Sequence, residues 1–96
     1  MKLQQQDLPE LEITNDEDTS ELNASRVILY NDEWHSFDEV IVQLIKAISC
    51  TFEQARDFAF EVHVKGKAIV FSGTMKDCLR VSSILEEIAL NTQIIT

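Results

Sequence analysis

The sequence predicts an α+β domain in which three helices pack on one face of a three-stranded antiparallel sheet, in the order β-α-α-β-α-β. Three observations predict it. Short β-favouring runs occur at residues 27–30, 67–72 and 93–96. The stretches between them have apolar residues at helical spacing, and each stretch begins near a Ser or Thr that can cap a helix. Three amphipathic helices are enough to cover one face of such a sheet.

The first strand, residues 27–30, ends at an Asn-Asp pair typical of a turn. A capping box follows, in which the Ser36 side chain can bond the amide of Glu39 while the Glu39 side chain reaches back. Apolar residues then recur at i, i+3, i+4 and i+7 spacing over residues 37–48. This pattern predicts an amphipathic helix.

The second helix begins at a second capping box, and its predicted end is Gly66, where a left-handed C-cap favours glycine. The second strand follows directly at residues 67–72. A third helix is predicted to begin at Thr74 and to end at Asn91, and residues 93–96 form the last strand. No internal repeat is visible.

Residues 1–24 differ in composition from the rest of the chain. They carry seven acidic side chains against Lys2 alone, whereas residues 25–96 carry ten acids and seven bases. Most of the net charge of −9 therefore lies in this leader. Because it is polar, interrupted by Pro9 and without helical periodicity, we predict that it is disordered and that residues 25–96 form the one folded domain.

The same composition argues against several classes of partner. No basic stripe is available to displace counterions from nucleic-acid phosphates, and an anionic membrane surface is disfavoured for the same reason. No apolar run approaches about 18 residues and no signal-like segment begins the chain, which predicts a cytoplasmic protein. Cys50 and Cys78 have no metal-ligating spacing, and we expect reduced thiols.

No sequence pattern indicates catalysis. The two glycines form no phosphate-binding loop, and there is neither a nucleophile elbow nor a pair of histidines at metal-binding spacing. A lone histidine near a helix end is more often structural than catalytic. We therefore predict a protein that is not an enzyme and needs no cofactor.

Polar side chains cluster where the first strand gives way to the first helix. Asn31, Asp32 and Glu33 share this loop, and His63 lies near the end of the second helix. If the two helices pack together, these groups surround an apolar slot. Its predicted lining is Phe37, Val40, Ala59 and Val62. Such a slot suits a ligand that joins an apolar side chain to an ammonium, as a protein's first residue does, but on spacing alone an ordinary turn and helix end remain the simpler interpretation.

Residues 27–34 (VILYNDEW) and 62–68 (VHVKGKA) together resemble the ClpS family, the adaptors of the bacterial Clp ATPase–protease. Members have a strand followed by an Asn-Asp-Asp/Glu-aromatic loop, and later a Val-His-x-x-Gly-Lys-Ala segment. The separation of the two motifs matches without gaps. The resemblance extends from about Arg26 to the carboxyl terminus and implies the fold already predicted from the pattern.

The resemblance implies a bacterial, cytoplasmic and monomeric adaptor that binds N-degron substrates beginning with Leu, Phe, Tyr or Trp. Asn31 and His63 would bond the α-amino group. Asp32 would help to fix the amine and backbone of the first residue, and Glu33 and His35 would complete the set of residues that bind the substrate's amino terminus. The slot would hold the side chain, and the substrate would be delivered to a ClpA-like AAA+ ATPase. In this family the disordered leader engages the ATPase during delivery, and a different surface of the adaptor docks on the amino-terminal domain of the ATPase.

Several positions depart from the family pattern. Many members have Thr-Pro-Met after the loop aromatic, where this chain has His35, Ser36 and Phe37, and a Met common on the second helix corresponds to Ala59. Loss of that Met predicts a deeper pocket unless Phe37 fills the space, and hence tolerance of Ile and Val as first residues. The usual Pro-Leu near the carboxyl terminus is also missing.

The main alternative is a general protein–protein interaction domain of the same fold. The carboxyl-terminal domain of the ribosomal stalk protein is an example that has no pocket for an amino terminus. The two interpretations differ in whether Asn31, Asp32 and His63 face one cavity.

Overall fold

The computed structural model describes residues 24–96. The elements are β1 (Ser25–Tyr30), α1 (Phe37–Ile48), α2 (Phe52–Lys65), β2 (Lys67–Gly73), α3 (Met75–Glu86) and β3 (Asn91–Ile95). The predicted α+β class and the order β-α-α-β-α-β are confirmed. The predicted disorder of the leader falls, apart from Ala24, outside the described residues.

The sheet is antiparallel with β1 at its centre, in the order β2-β1-β3. Val27 and Leu29 are fully buried toward the helices, because alternate residues of a strand face opposite sides of the sheet. On the outer face the Tyr30 hydroxyl donates a hydrogen bond to Gln93 Oε1 across 2.7 Å. Val70 has no partner in the ladder with β1 and forms a bulge in β2.

One core lies between the sheet and the three helices. Its fully buried larger side chains are Val27, Leu29, Leu44, Cys78, Val81 and Leu85. Each helix begins at a side-chain cap, and the first two are the capping boxes that the sequence predicts. Burial of one apolar face on each helix therefore follows from the 3.6-residue periodicity of the sequence.

The third helix ends earlier than the sequence predicts. α3 stops at Glu86, and Asn91, predicted as its end, is the first residue of β3. Ala89 in the intervening turn has a φ of +66°, which no α-helix accommodates. This early reversal buries Leu90 and brings Asn91 opposite Tyr30 in the ladder between β1 and β3.

Three further properties concern the part of the chain that the structure describes. None of its helices has the length and apolar character to cross a membrane, and none of its His, Cys, Asp and Glu side chains form a group of three or more that could hold a metal ion. Cys50 and Cys78 are free cysteines. Burial raises the pKa of both thiols, so they are protonated at neutral pH.

Candidate functional site

The loop of residues 31–36 connects the central strand to α1 and is tied to the end of α2. The Asn31 amide donates a hydrogen bond to the carbonyl of Gly66, with a nitrogen–oxygen distance of 2.9 Å. Gly66 ends α2 with a φ of +88°, a conformation that favours glycine. This contact fixes the Asn-Asp-Glu loop beside the Val-His segment of α2.

The Asp32 carboxylate organises this loop. Its Oδ1 accepts hydrogen bonds from the amides of Trp34 at 2.9 Å and His35 at 3.0 Å. Its Oδ2 lies 2.8 Å from Nδ1 of His35. Burial acts to raise the pKa of Asp32, but the hydrogen bonds from His35 and Trp34 outweigh it, and the pKa is lowered. The ionised group has about four acceptor positions, so one remains for a further donor.

His35 links the loop to the turn between α3 and β3. Its Nδ1 faces Asp32, and its Nε2 faces the carbonyl oxygen of Ile88. Both neighbours are acceptors, so both ring nitrogens must donate, which requires the imidazolium form. The hydrogen bonds to Ile88 and to Asp32 raise the pKa of His35, while burial acts in the opposite sense. The side chain is only 12% exposed, so this contact is largely shielded from water.

The capping box at the start of α1 positions two apolar side chains. Ser36 Oγ accepts from the Glu39 amide at 3.1 Å, and the Ser36 amide donates to Glu39 Oε1 at 2.7 Å. These bonds fix the first turn of the helix. Phe37 and Val40, three residues apart, therefore lie on the same side of α1 and face α2.

The facing side of α2 contributes three residues at i, i+3 and i+4 spacing. Ala59 and Val62 are 3% and 4% exposed, and His63 is exposed one residue further along. The spacing places the three side chains next to one another on the helix. α2 therefore supplies both an apolar wall and a polar group at its rim.

These residues surround an open cavity of about 550 Å³. Its lining is Asn31, Asp32, Glu33, His35, Ser36, Phe37, Val40, Ala59, Val62 and His63. The structure thus brings together all nine residues that the sequence selected. Ser36 also lines the cavity but was predicted only as a helix cap. Its position between two selected residues, His35 and Phe37, could have indicated that it lines the cavity as well.

The polar lining residues fall into two groups. Asp32 and His35 are engaged inside the protein, whereas the side chains of Asn31, Glu33 and His63 make no hydrogen bond to any residue within 24–96. The latter three remain available to a ligand. The cavity can therefore bind a cationic donor at its mouth and an apolar group at its floor. Neither cysteine lines it.

The sequence of residues 20–93 matches the model of one protein family, described as ATP-dependent Clp protease adaptor protein ClpS. Among solved structures, that of Agrobacterium tumefaciens ClpS2 bound to L-phenylalaninamide is similar, with a TM-score of 0.67 and 18% identity. The match covers 74% of this chain and 93% of that chain. At this identity the similarity concerns the fold.

The curated relatives are much longer proteins. The chain is 33% identical over 70 residues to E3 ubiquitin-protein ligase UBR1 of Drosophila melanogaster, and the matched segment covers 72% of this chain. It is 38% identical over 74 residues to E3 ubiquitin-protein ligase ubr-1 of Caenorhabditis elegans, and this match covers 76% of the chain. In each case the chain spans only 4% of the length of the ligase.

Proposed function

Because the chain belongs to the ClpS family of ATP-dependent Clp protease adaptor proteins, we propose that it is a non-enzymatic module that binds the free amino-terminal residue of substrate proteins. The observation that carries this proposal is one cavity with an apolar floor and hydrogen-bonding acceptors at its mouth. L-Phenylalaninamide, the ligand of the similar ClpS2 structure, joins an aromatic side chain to a primary amine in the same way.

The mouth matches an ammonium group in number and in charge. An ammonium has three donors. The carbonyl of the Asn31 side chain, the remaining position on Asp32 and a ring nitrogen of His63 supply three acceptors. Glu33 adds negative charge beside them. His35 has no free nitrogen, so we assign it the role of holding Asp32 rather than of touching the substrate.

The floor suits a large apolar side chain. Burying a Leu or Phe side chain contributes roughly 1.5–3 kcal/mol, and each hydrogen bond to a charged amine contributes roughly 1.5–3 kcal/mol. Association and ordering costs remove several kcal/mol. A dissociation constant in the micromolar range, about −8 kcal/mol, follows, which allows both capture and release.

The experiment that tests the proposal compares two peptides. We expect a labelled peptide with a free amino-terminal Phe to bind with a micromolar Kd, and its acetylated twin to bind about 100-fold more weakly or not at all, because acetylation removes the charge and two donors. Fluorescence anisotropy at about pH 7 keeps most of the α-amine, whose pKa is about 7.7–8.0, protonated. Equal binding of the two peptides, or no binding of either, would contradict the proposal.

The cavity floor governs which first residues are accepted. With Ala59 rather than a longer side chain beside Phe37, we expect peptides beginning with Ile or Val to bind within about tenfold of one beginning with Leu. Ala59→Met should narrow the floor and weaken Ile and Val selectively. Val64→Met is the matched control, since Val64 lies on the same helix but outside the cavity. If wild type binds Ile and Val more than about tenfold more weakly than Leu, the expectation is wrong.

The generic interaction domain, the alternative raised by the sequence, does not require its polar residues to converge. Asn31, Asp32 and His63 come from a loop and from α2 and line one cavity. This convergence favours amino-terminus recognition over the alternative.

We further propose that bound substrates pass to a degradation machine, with the domain acting as a cytoplasmic monomer. The family description, that of an ATP-dependent Clp protease adaptor, supports a Clp ATPase–protease as the receiver, and we propose the amino-terminal domain of a ClpA-like ATPase as the part that docks. A ubiquitin ligase is the second candidate, since the chain is 33% and 38% identical to segments of two such ligases but 18% identical to ClpS2. Adding the chain to a reconstituted Clp ATPase–protease and to a reconstituted ligase, each with a substrate beginning with Phe, separates the two.

A further inference from the structure

We call the cavity lined by Asp32, Phe37 and His63 the amino-terminus cavity. A second groove lies on the other side of α2 from it. It has a volume of about 490 Å³ and is bounded by α2, by β2 and by the segment that joins α1 to α2. Ile48, Phe58 and Val70 supply apolar side chains, and Asp57 and Glu61 supply two carboxylates from α2. We call it the edge groove.

The edge groove lies beside an unpaired strand edge. β2 is hydrogen-bonded only to β1 in the three-stranded sheet, so within residues 24–96 its other edge has no strand partner. Residues 68–71 are four consecutive apolar residues, and Ile69 is 45% exposed. Unpaired N–H and C=O groups next to an apolar groove form a template on which an extended peptide adds as a further strand.

The distance between the two carboxylates along α2 is close to the distance between alternate residues of a β-strand. Asp57 and Glu61 are four residues apart on α2, which corresponds to about 6 Å along the helix axis. Alternate residues of a strand are about 6.7 Å apart on one face. Two basic side chains at i and i+2 of an added strand can therefore each meet one carboxylate, while their aliphatic stems cover the apolar floor.

Neither carboxylate is strongly paired in the domain itself. Arg56 lies 3.9 Å from Asp57, and Lys65 lies 3.9 Å from Glu61, at the outer limit of an ion pair. Both pairs are solvent-exposed, and pairs of this kind contribute little free energy. The carboxylates therefore remain available to an incoming cation.

The negative charge of Asp57 and Glu61 determines which kind of segment can bind in the edge groove. The leader, residues 1–24, has a net charge of −6, and a second copy of the chain has −9. Each would bring like charge toward Asp57 and Glu61, which is unfavourable. A basic segment of another protein has the complementary charge.

We propose that the edge groove is a second peptide-binding site, which takes an extended segment with Lys or Arg at i and i+2, flanked by apolar residues, as a fourth strand beside β2. The site is independent of the amino-terminus cavity. Its ligand therefore needs no free amino terminus.

The probe is a peptide of sequence VTKTKTV, acetylated and amidated at its ends, which has Val, Lys, Lys and Val on one face. We expect it to shift the NMR amide resonances of residues 68–72 in the full nitrogen-15-labelled chain, whereas the peptide VTETETV shifts none of them. Glu61→Lys should weaken binding at least about tenfold, and Glu61→Gln should weaken it less. Asp38→Lys makes the same charge change at the start of α1, outside the groove, and should change the affinity less than about twofold.

Three results would overturn the proposal. One is the absence of shifts at residues 68–72 up to about 2 mM peptide, a limit close to the weakest useful affinity. Another is equal weakening by Glu61→Lys and Asp38→Lys, which would mean that only the net charge of the domain matters. The third is shifts confined to the lining of the amino-terminus cavity.

Discussion

Replacing Asp32 with asparagine is expected to weaken binding of a peptide with a free amino-terminal Phe by about 10- to 100-fold while the domain stays folded. The Asn oxygen can still accept from the amides of Trp34 and His35, as Oδ1 does at 2.9 and 3.0 Å. The negative charge opposite the ammonium is lost, however, and a hydrogen bond to a charged group contributes roughly 1.5–3 kcal/mol. Fluorescence anisotropy measures the affinity, and circular dichroism checks the fold.

Glu33→Gln is the matched control for this substitution. It removes the same charge from the next residue, but Glu33 is exposed and its side chain makes no hydrogen bond within residues 24–96. A solvent-screened charge contributes little, so we expect the affinity to fall less than about threefold. If Glu33→Gln weakened binding as much as Asp32→Asn, the mouth would act through its overall charge and the specific role proposed for Asp32 would be wrong.

The sequence was sufficient to predict those parts of the fold that depend on local interactions. Capping boxes at Ser36 and Thr51 and the glycine at residue 66 involve side chains only three or four residues apart, so their residue types predict their geometry. Five of the nine residues selected for the cavity lie in the two motifs whose spacing matched a family, and the other four lie within six residues of one of these motifs. The sheet order β2-β1-β3 is a non-local property that the spacing alone does not give.

What the sequence could not predict are the contacts that cross the domain. His35 was placed beside the amine, but its Nε2 reaches the carbonyl of Ile88, 53 residues away. That carbonyl lies in the turn that follows α3, which ends at Glu86. Gln43 is a similar case, since this polar residue is 6% exposed and donates to the carbonyl of Ile84 at 2.6 Å. Helical periodicity carries no information about either bond.

These contacts change the interpretation of the site. The mouth of the cavity is held in place by an imidazolium that connects the loop of residues 31–36 to the turn before β3. The site is therefore preorganised by a group that itself titrates. Its geometry should depend on pH through His35, independently of the titration of any substrate.

Replacing His35 with glutamine is accordingly expected to lower the free energy of unfolding by about 2 kcal/mol near pH 6, because two hydrogen bonds to a partly buried charged group are weakened. The pKa of His35 is raised in the folded state. Its stabilising contribution is therefore complete below its ordinary pKa of about 6.5 and is lost as the pH rises through the folded-state value. The pKa of Asp32 is lowered, so its contribution is complete above about pH 4 and is lost as the pH falls through its folded-state value.

Urea denaturation of wild type and His35→Gln across this range measures the effect. The difference in unfolding free energy should be largest between about pH 4 and 6.5 and should shrink as the solution becomes alkaline. In an Asp32→Asn background the same substitution should have a smaller effect, because the two side chains act on each other. A difference that stays constant with pH, or that grows as the pH rises, would contradict the imidazolium assignment.

The His35→Gln variant also tests whether the titration of His35 affects the affinity for amino-terminal peptides. The affinity of any amino-terminal peptide falls as its own α-amine loses its proton at about pH 7.7–8.0, so the pH profile of wild type alone cannot isolate His35. The ratio of wild-type to His35→Gln affinity is independent of the deprotonation of the α-amine, since both proteins bind the same peptide. If His35 holds the Asp32 carboxylate toward the ammonium, this ratio should be about tenfold near pH 6, the equivalent of about 1.4 kcal/mol, and should approach one as the imidazolium loses its proton. A ratio near one throughout would mean that the contact stabilises the fold without positioning the mouth.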